Sequence, residues 1–214
     1  MDICAAIVEE VKKELAITQL NVKYNPVTSQ TRIPLMANGT IDLECGSTTN
    51  TLTRQKQVSF APITFITGTK LLVKKSSKVK SYRDLKGKTV VVTQGTTNER
   101  IIKALSDKEN LGIRFLNAKD HAESFLAVES GRAVAFAMDD ILLYGLMFRT
   151  NDDAFGVVVR RAIARLFGEP GQCNGPLKAI YKKWFVDPLP SGEKMGVPMS
   201  QLLETVCRTN ALPD

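Results

Sequence analysis

Residues 89 to 105 read TVVVTQGTTNERIIKAL. Thr89-Val90-Val91-Val92 is a β-branched run of the buried-strand type. It feeds Gln94-Gly95-Thr96-Thr97 and then a helix carrying Ile101, Ile102 and Leu105. Working outward toward the C-terminus, Arg114-Phe115-Leu116 forms a short strand. Asp120 with Glu123 makes a capping-box-like helix start, which Ser130-Gly131 closes. Ala133 to Met138 is a buried strand that ends at Asp139-Asp140. Strand, helix, strand, helix predicts an α/β fold with largely parallel sheets. In such sheets ligands sit beyond the carboxyl ends of the strands, where Ser47, Thr97 and Asp139 fall.

Toward the N-terminus, Asp2 is a plausible N-cap. Ile3, Ile7, Val11 and Leu15 then recur every four residues among Glu and Lys, which predicts a surface helix. Leu20, Val22 and Tyr24 alternate with polar residues as a half-buried strand. Ser29 can cap a short helix through Arg32 and Met36, stopped by Asn38-Gly39. Ile41-Asp42-Leu43 reads as the next strand, Thr53 to Gln57 as a short helix, and Ile63 to Val73 as a β-prone run suited to crossing between lobes. Ser76 to Ser81 is a polar loop. Beyond Tyr144 the pattern predicts a helix near Asp153 to Phe167, a breaker-rich stretch from Gly168 to Pro176, and a helix from Leu177 to Phe185 with Trp184 packing. A proline-rich tail follows from Asp187.

The 214 residues are 43% hydrophobic and 24% charged, an ordinary soluble globular composition with room for one domain or two small lobes. The net charge of +7 is spread along the chain. Its local clusters, Lys74-Lys75, Lys78, Lys80 and Arg160-Arg161, lack interleaved aromatics and fit a solvated face better than a nucleic-acid surface. No apolar run reaches membrane-spanning length, and Met1-Asp2 leads straight into an amphipathic helix rather than a secretion signal. The cysteines Cys4, Cys45, Cys173 and Cys207 lie far apart with no metal-ligand spacing. Buried or free thiols are the default, and one long-range disulfide is compatible with the count.

Several residues could carry chemistry. Gly95-Thr96-Thr97 opens a helix after a strand, so amides and a hydroxyl could hold an anion, although such turns are equally often simple caps. The phosphate-loop pattern is not present. Cys45 to Asn50 with Arg54 offers hydroxyls and a guanidinium fork suited to a carboxylate; the plainer reading is a polar turn with a surface arginine. His121 is the only histidine, and a lone histidine is more often a surface or capped residue than a catalytic base. No GxSxG elbow supports a hydrolase. In Asp139-Asp140 one carboxylate can pair with an ammonium while the other caps the following helix.

Three segments carry a resemblance. They are Thr28 to Lys75, DLKGKTVVVTQGTTNE from Asp84 to Glu99, and NAKDHAESFLAVESGRAVAFAMDDILLYG from Asn117 to Gly145. Together they resemble the glutamate/aspartate-binding proteins of bacterial ABC uptake systems, solute-binding protein family 3. The leading helix and KKWF from Lys182 to Phe185 also fit. The resemblance implies a two-lobe periplasmic-binding-protein type II fold, each lobe a mostly parallel sheet flanked by helices. The lobes close on the ligand like a hinge. Residues 1–68 plus 146–214 would form lobe 1, and 69–145 lobe 2.

It also implies roles. Arg54 would clamp the α-carboxylate with Thr49 and Thr97. Ser47 and Asp139 would meet the α-ammonium. Ser29, Arg32 and His121 would hold the side-chain carboxylate. The implied partners are L-glutamate or L-aspartate and an ABC permease in the inner membrane, with a monomeric, periplasmic protein that uses no cofactor, metal or nucleic acid. On the same resemblance the chain is shortened in two places. A leading strand and its arginine-bearing loop would be missing, as would part of lobe 2 after Gly145, while Gly168 to Pro176 would be an insertion. Two other readings compete: a remnant that no longer binds, and a dehydratase-type enzyme using His121 or the Asp139/Asp140 pair.

Overall fold

The computed structural model describes residues 1–61, 65–150, 155–158, 183 and 187–188. These fall into two compact units. Of the described residues, unit 1 holds Met1–Val27, Thr31–Ile66, 183 and 187–188; unit 2 holds Thr28–Gln30 and those from Thr67 to Val158.

Unit 2 is built on a five-stranded sheet in the order β3-β2-β4-β1-β5. The strands are β1 (Thr69–Lys74), β2 (Thr89–Thr93), β3 (Arg114–Ala118), β4 (Ala135–Asp139) and β5 (Phe155–Val158). β2 runs parallel to both β3 and β4, whereas β1 runs antiparallel to both β4 and β5. Four of the five strands thus run the same way, the largely parallel sheet expected, and β1 alone is reversed. The strand–helix–strand units from Thr89 onward obey the parallel rule. β1 enters from the opposite direction, and no helical crossover links it to β4 in register. The expected β-prone run from Ile63 yields a strand only from Thr69; residues 62–64 lie outside the described residues.

Valines 90 to 92 are completely buried because the sheet is covered on both faces, as continuous apolar strands require. One face packs Val90, Val92, Ala135 and Ala137 on Ile102 of α4 (Thr97–Lys108). The other packs Val91, Phe136 and Met138 on Phe125 of α5 (His121–Glu129) and Leu143 of α6 (Asp140–Thr150). Each fully buried valine contributes roughly 1.5–3 kcal/mol. Phe155 corrects the expected helix near Asp153 to Phe167. It begins β5, 1% exposed, with its ring 4.9 Å from that of Phe125. A large ring with a core slot and β-branched neighbours at Val157 and Val158 favours a strand there. The rest of that expected helix, the Gly168–Pro176 stretch, Trp184 and the tail lie outside the described residues.

Unit 1 contains α1 (Asp2–Glu14), α2 (Arg32–Ala37) and α3 (Leu52–Gln55). α1 is the expected surface helix and buries no residue. Its N-cap is Met1, with Asp2 already in the first turn. α2 starts from Thr31 instead of Ser29, without a side-chain cap bond, and Gly39 closes it at φ +74°. The strands expected at Leu20–Tyr24 and Ile41–Leu43 do not form, and Leu20, Val22, Tyr24 and Leu43 are exposed. An alternating pattern makes a strand only when a neighbour satisfies its backbone groups, and no ladder partner is found for either segment among the described residues. A disulfide joins Cys4 to Cys45, Cα atoms 6.2 Å apart, and ties α1 to the segment before Gly46. Cys173 and Cys207 lie outside the described residues. Among the described residues no helix is long and apolar enough to cross a membrane.

Candidate functional site

In unit 2 the parallel strands β2 and β4 end at Thr93 and Asp139, and the N-termini of α4, α5 and α6 follow the sheet's carboxyl edge. Four expected residues gather there: Ser29, Thr97, His121 and Asp139. Helix starts concentrate unsatisfied amides and positive potential, so this edge suits an anionic ligand.

Ser29 arrives by an unusual route. The Thr28–Gln30 segment lies against Gly95, whose φ is +76°. A Cβ at that position would stand 2.7 Å from Gln30 Cα and 2.9 Å from the Ser29 carbonyl oxygen. Only glycine permits this backbone approach. The turn then caps α4 with its own atoms. Thr96 Oγ1 accepts from Glu99 N at 3.1 Å and donates to the Thr93 carbonyl at 2.8 Å. Glu99 Oε2 accepts from Gly95 N at 2.8 Å. The Gly95 amide, one of those expected to meet an anion, is thus occupied by Glu99, while Thr97 stands buried at the head of the helix.

Asp139 is 7% exposed and accepts from Asn98 Nδ2 at 3.3 Å. Asn98, 1% exposed, also accepts from the Thr69 hydroxyl through Oδ1, so it links α4, β1 and β4 around the carboxylate. Asp140 divides from Asp139 as expected of a cap: its Oδ1 accepts from Ile141 N at 2.8 Å. Its cationic partner is Lys70, at 2.7 Å. Burial pulls the Lys70 ammonium down, but the hydrogen bond and charge of Asp140 outweigh it and hold the group above its ordinary value.

His121 is the first residue of α5, half-buried, capped by Asp120 Oδ1 on Glu123 N at 2.8 Å. Its Nδ1 is 2.9 Å from Thr93 Oγ1, and Thr93 Oγ1 is 2.8 Å from Ser124 Oγ.

Unit 1 collects the other four. Arg54 on α3 is 5% exposed and donates through NH1 to the Thr49 carbonyl at 2.8 Å, so the predicted clamp pair is in direct contact. Thr51 caps this turn, accepting from Arg54 N at 3.3 Å. Arg32 is 7% exposed, with NH1 3.7 Å from Glu44 Oε1. Glu44 also accepts from the Thr48 hydroxyl at 2.7 Å. Ser47 is exposed. The plain reading of Arg54 as a surface arginine is therefore wrong. A guanidinium is buried only where acceptors surround it.

Sequence reasoning missed Thr93, Asn98, Ser124 and Glu44. Asn98 and Ser124 carried a signal: each is a polar residue on a helix face that otherwise turns apolar residues to the sheet. Glu44 carried none, because its partner Arg32 is remote in sequence.

The model of the bacterial extracellular solute-binding proteins, family 3, matches residues 2–187. The chain is 46% identical, over 95% of its length and 74% of the relative's, to the L-glutamate/L-aspartate-binding protein of Pseudomonas aeruginosa. It is 45% identical to the glutamate/aspartate import solute-binding protein of Salmonella typhimurium, over 88% of this chain and 69% of that one. Among solved structures, an ancestral arginine-binding protein bound to glutamine is 28% identical with a TM-score of 0.64, covering 77% of this chain and 69% of that one. The holo ArgBP of T. maritima is 25% identical with a TM-score of 0.60, covering 72% and 65%. These matches, with a sheet whose carboxyl edge gathers polar side chains, place the chain among the bacterial extracellular solute-binding proteins, family 3.

Proposed function

We propose that this chain captures L-glutamate or L-aspartate and delivers it, chemically unchanged, to an ABC permease of the inner membrane. The observation that carries the reading is the pair of buried guanidinium groups, Arg32 and Arg54, at 7% and 5% exposure. Glu44 and the Thr49 carbonyl hold these two groups in place, and the five N–H donors of a guanidinium can serve a protein acceptor and a ligand carboxylate together, of which a dicarboxylate supplies two. In this reading Arg54 with Thr49 and Thr97 takes the α-carboxylate, and Asp139 with Ser47 takes the ammonium. Arg32, Ser29 and His121 take the distal carboxylate. The proposed lobes are residues 1–68 with the C-terminal part of the chain, and residues 69–145, to which α6 and β5 add because β5 pairs with β1. The protein works as a periplasmic monomer. The Cys4–Cys45 disulfide supports that address, because such bonds persist in oxidising compartments.

Calorimetric titration with L-glutamate and L-aspartate tests the proposal, with Arg54→Ala as the control. Stranding one carboxylate should weaken binding by about 2–5 kcal/mol, roughly thirtyfold to several thousandfold. No heat from a folded sample, or an unaffected Arg54→Ala variant, defeats it. A second reading, a chain with impaired binding, is favoured by one observation: Leu20, Val22, Tyr24 and Leu43 of unit 1 lie exposed.

A further inference from the structure

We propose that Glu44 is a positioning residue for Arg32: locked by Thr48 and admitted by Gly46, its carboxylate aims the guanidinium that selects the ligand's distal carboxylate. The selective half of this inference rests on the function proposed above; the coupling of Glu44 to Arg32 does not.

A guanidinium is a planar fork on a long, rotatable stem, so it recognises a carboxylate best where its plane is fixed. Arg32 is the first residue of α2 and stands 7% exposed. Burial strips water from its charge and makes an adjacent anion valuable. Glu44 Oε1 supplies one, 3.7 Å from NH1. The Glu44 side chain is itself only 17% exposed, so solvent screens the pair weakly.

Three features hold that carboxylate. Its second oxygen, Oε2, accepts from Thr48 Oγ1 at 2.7 Å. One oxygen therefore serves each partner, and the carboxylate cannot follow a swinging Arg32 without leaving Thr48. Next comes Gly46. A Cβ there would overlap Glu44 Oε1 and stand 3.4 Å from the carboxyl carbon, so the carboxylate fills the space a side chain would claim. Gly46 is not one of the glycines with a positive φ; what is used at this position is the missing side chain. Between the two lies Cys45, whose bond to Cys4 ties the backbone beside Glu44 to α1.

A fork held in one plane presents donors that match the two oxygens of a carboxylate, whereas the amide of L-glutamine brings N–H groups against them. A swivelling fork must first be ordered by the ligand and loses much of that preference. Glu44 also repels an incoming carboxylate. Aiming and repulsion act in opposite directions, so the sign of the change on altering Glu44 separates them. Glu44 need not be the sole partner of Arg32, because coupling between the two residues measures its share.

L-glutamate and L-glutamine share their α-groups and chain length, so the ratio of their dissociation constants reads the distal subsite. Titration calorimetry gives that ratio for the wild type and for two variants. Glu44→Gln keeps an acceptor for Thr48 and removes the charge. Gly46→Ala keeps every charge and displaces the carboxylate, which is the end of a flexible side chain. Each should lower the preference for L-glutamate about tenfold, within the range for residues of one network. Thr48→Val should lower it too, and Thr48→Ser should keep it; equal ratios in those two remove the lock. A preference that Glu44→Gln or Gly46→Ala leaves unchanged overturns the positioning, and one that rises makes Glu44 a competitor of the ligand instead. Without ligand, urea unfolding of Glu44→Gln, Arg32→Met and the double variant should show a double cost below the sum of the singles. Additive costs overturn the coupling. A wild type that binds neither amino acid defeats the function and the selective half together, while the ligand-free cycle still decides the coupling.

Discussion

Breaking the Cys4–Cys45 bond should loosen unit 1 and leave unit 2 as it was. The two cysteines are 41 positions apart, and both lie in unit 1. Chain-entropy arithmetic for a loop of that length removes about 13 cal/mol/K from the denatured ensemble, or about 4 kcal/mol at room temperature. None of the residues of α1 is buried, and among the described residues Asp2 Oδ2 meets Lys183 Nζ at 2.6 Å. An exposed pair of that kind contributes under about 1 kcal/mol. Hydrogen exchange read by mass spectrometry on peptides from each unit, with and without dithiothreitol, resolves the effect. Protection in α2 and α3 should drop by about three decades, the fold-change that 4 kcal/mol represents. Peptides from β2, β4 and α4 should be unchanged. A loss under tenfold in unit 1, or an equal loss in both units, would refute the reasoning. The Cys4→Ser variant should match the reduced protein.

Four further outcomes follow from other sites. Gly95→Ala should destabilise by more than the roughly 1–2 kcal/mol of a left-handed residue, because its Cβ also meets the Gln30 backbone at 2.7 Å. Gly112→Ala, at φ +57° in open space, should show the conformational cost alone, so urea midpoints that coincide for the two variants would contradict the clash. Asn98→Ala strips Asp139 and Thr69 of a buried partner and should cost about 1–3 kcal/mol, with a weaker hold on the ligand ammonium; unchanged stability in urea would remove Asn98 from the network. Lys70 has a folded value above its unfolded value of about 10.4, so its contribution is complete below that pH and is lost as pH rises through the higher folded value. Alkaline melts of Lys70→Met should lack that decline. Asp84 runs the other way: the Lys80 and Ser81 amides hold it below its ordinary value. Its contribution is present above about pH 3.9 and is lost as pH falls through the lower folded value, a decline that Asp84→Asn should erase.

The sequence was most legible where the chain satisfies itself locally. The Thr89–Leu105 unit, the Asp120/Glu123 cap and the Ala133–Met138 strand all formed, because apolar period, caps and turn chemistry agree there. Misreadings fell where partners are remote. Leu20–Tyr24 has the alternation of a strand without a described ladder partner, and Phe155 is drawn into a strand by β1 and the Phe125 ring. Thr97 and Asp139 were legible from strand ends and Arg54 from its polar neighbours, whereas Ser29 and Arg32 entered as site residues only through resemblance. Burial of Arg32 and Arg54 depends on how short helices fold back, and Ser29 reaches the sheet edge because residue 95 has no side chain. Nothing in the sequence brings Thr93 and Ser124 together; their hydroxyls stand 2.8 Å apart only in the folded chain.

The position of β1 in the sheet also sets a timetable for the growing chain. Leu71, Leu72 and Val73 are made early, yet they pair with Ala135 to Ala137 on one side and with Gly156 to Val158 on the other. Closing such distant pairs is slow, and until then β1 is an apolar edge open to other chains. The sheet therefore cannot be completed until Val158 has left the ribosome. Until then Leu71, Leu72 and Val73, buried in the finished sheet, form an apolar segment of the kind through which unfinished chains associate.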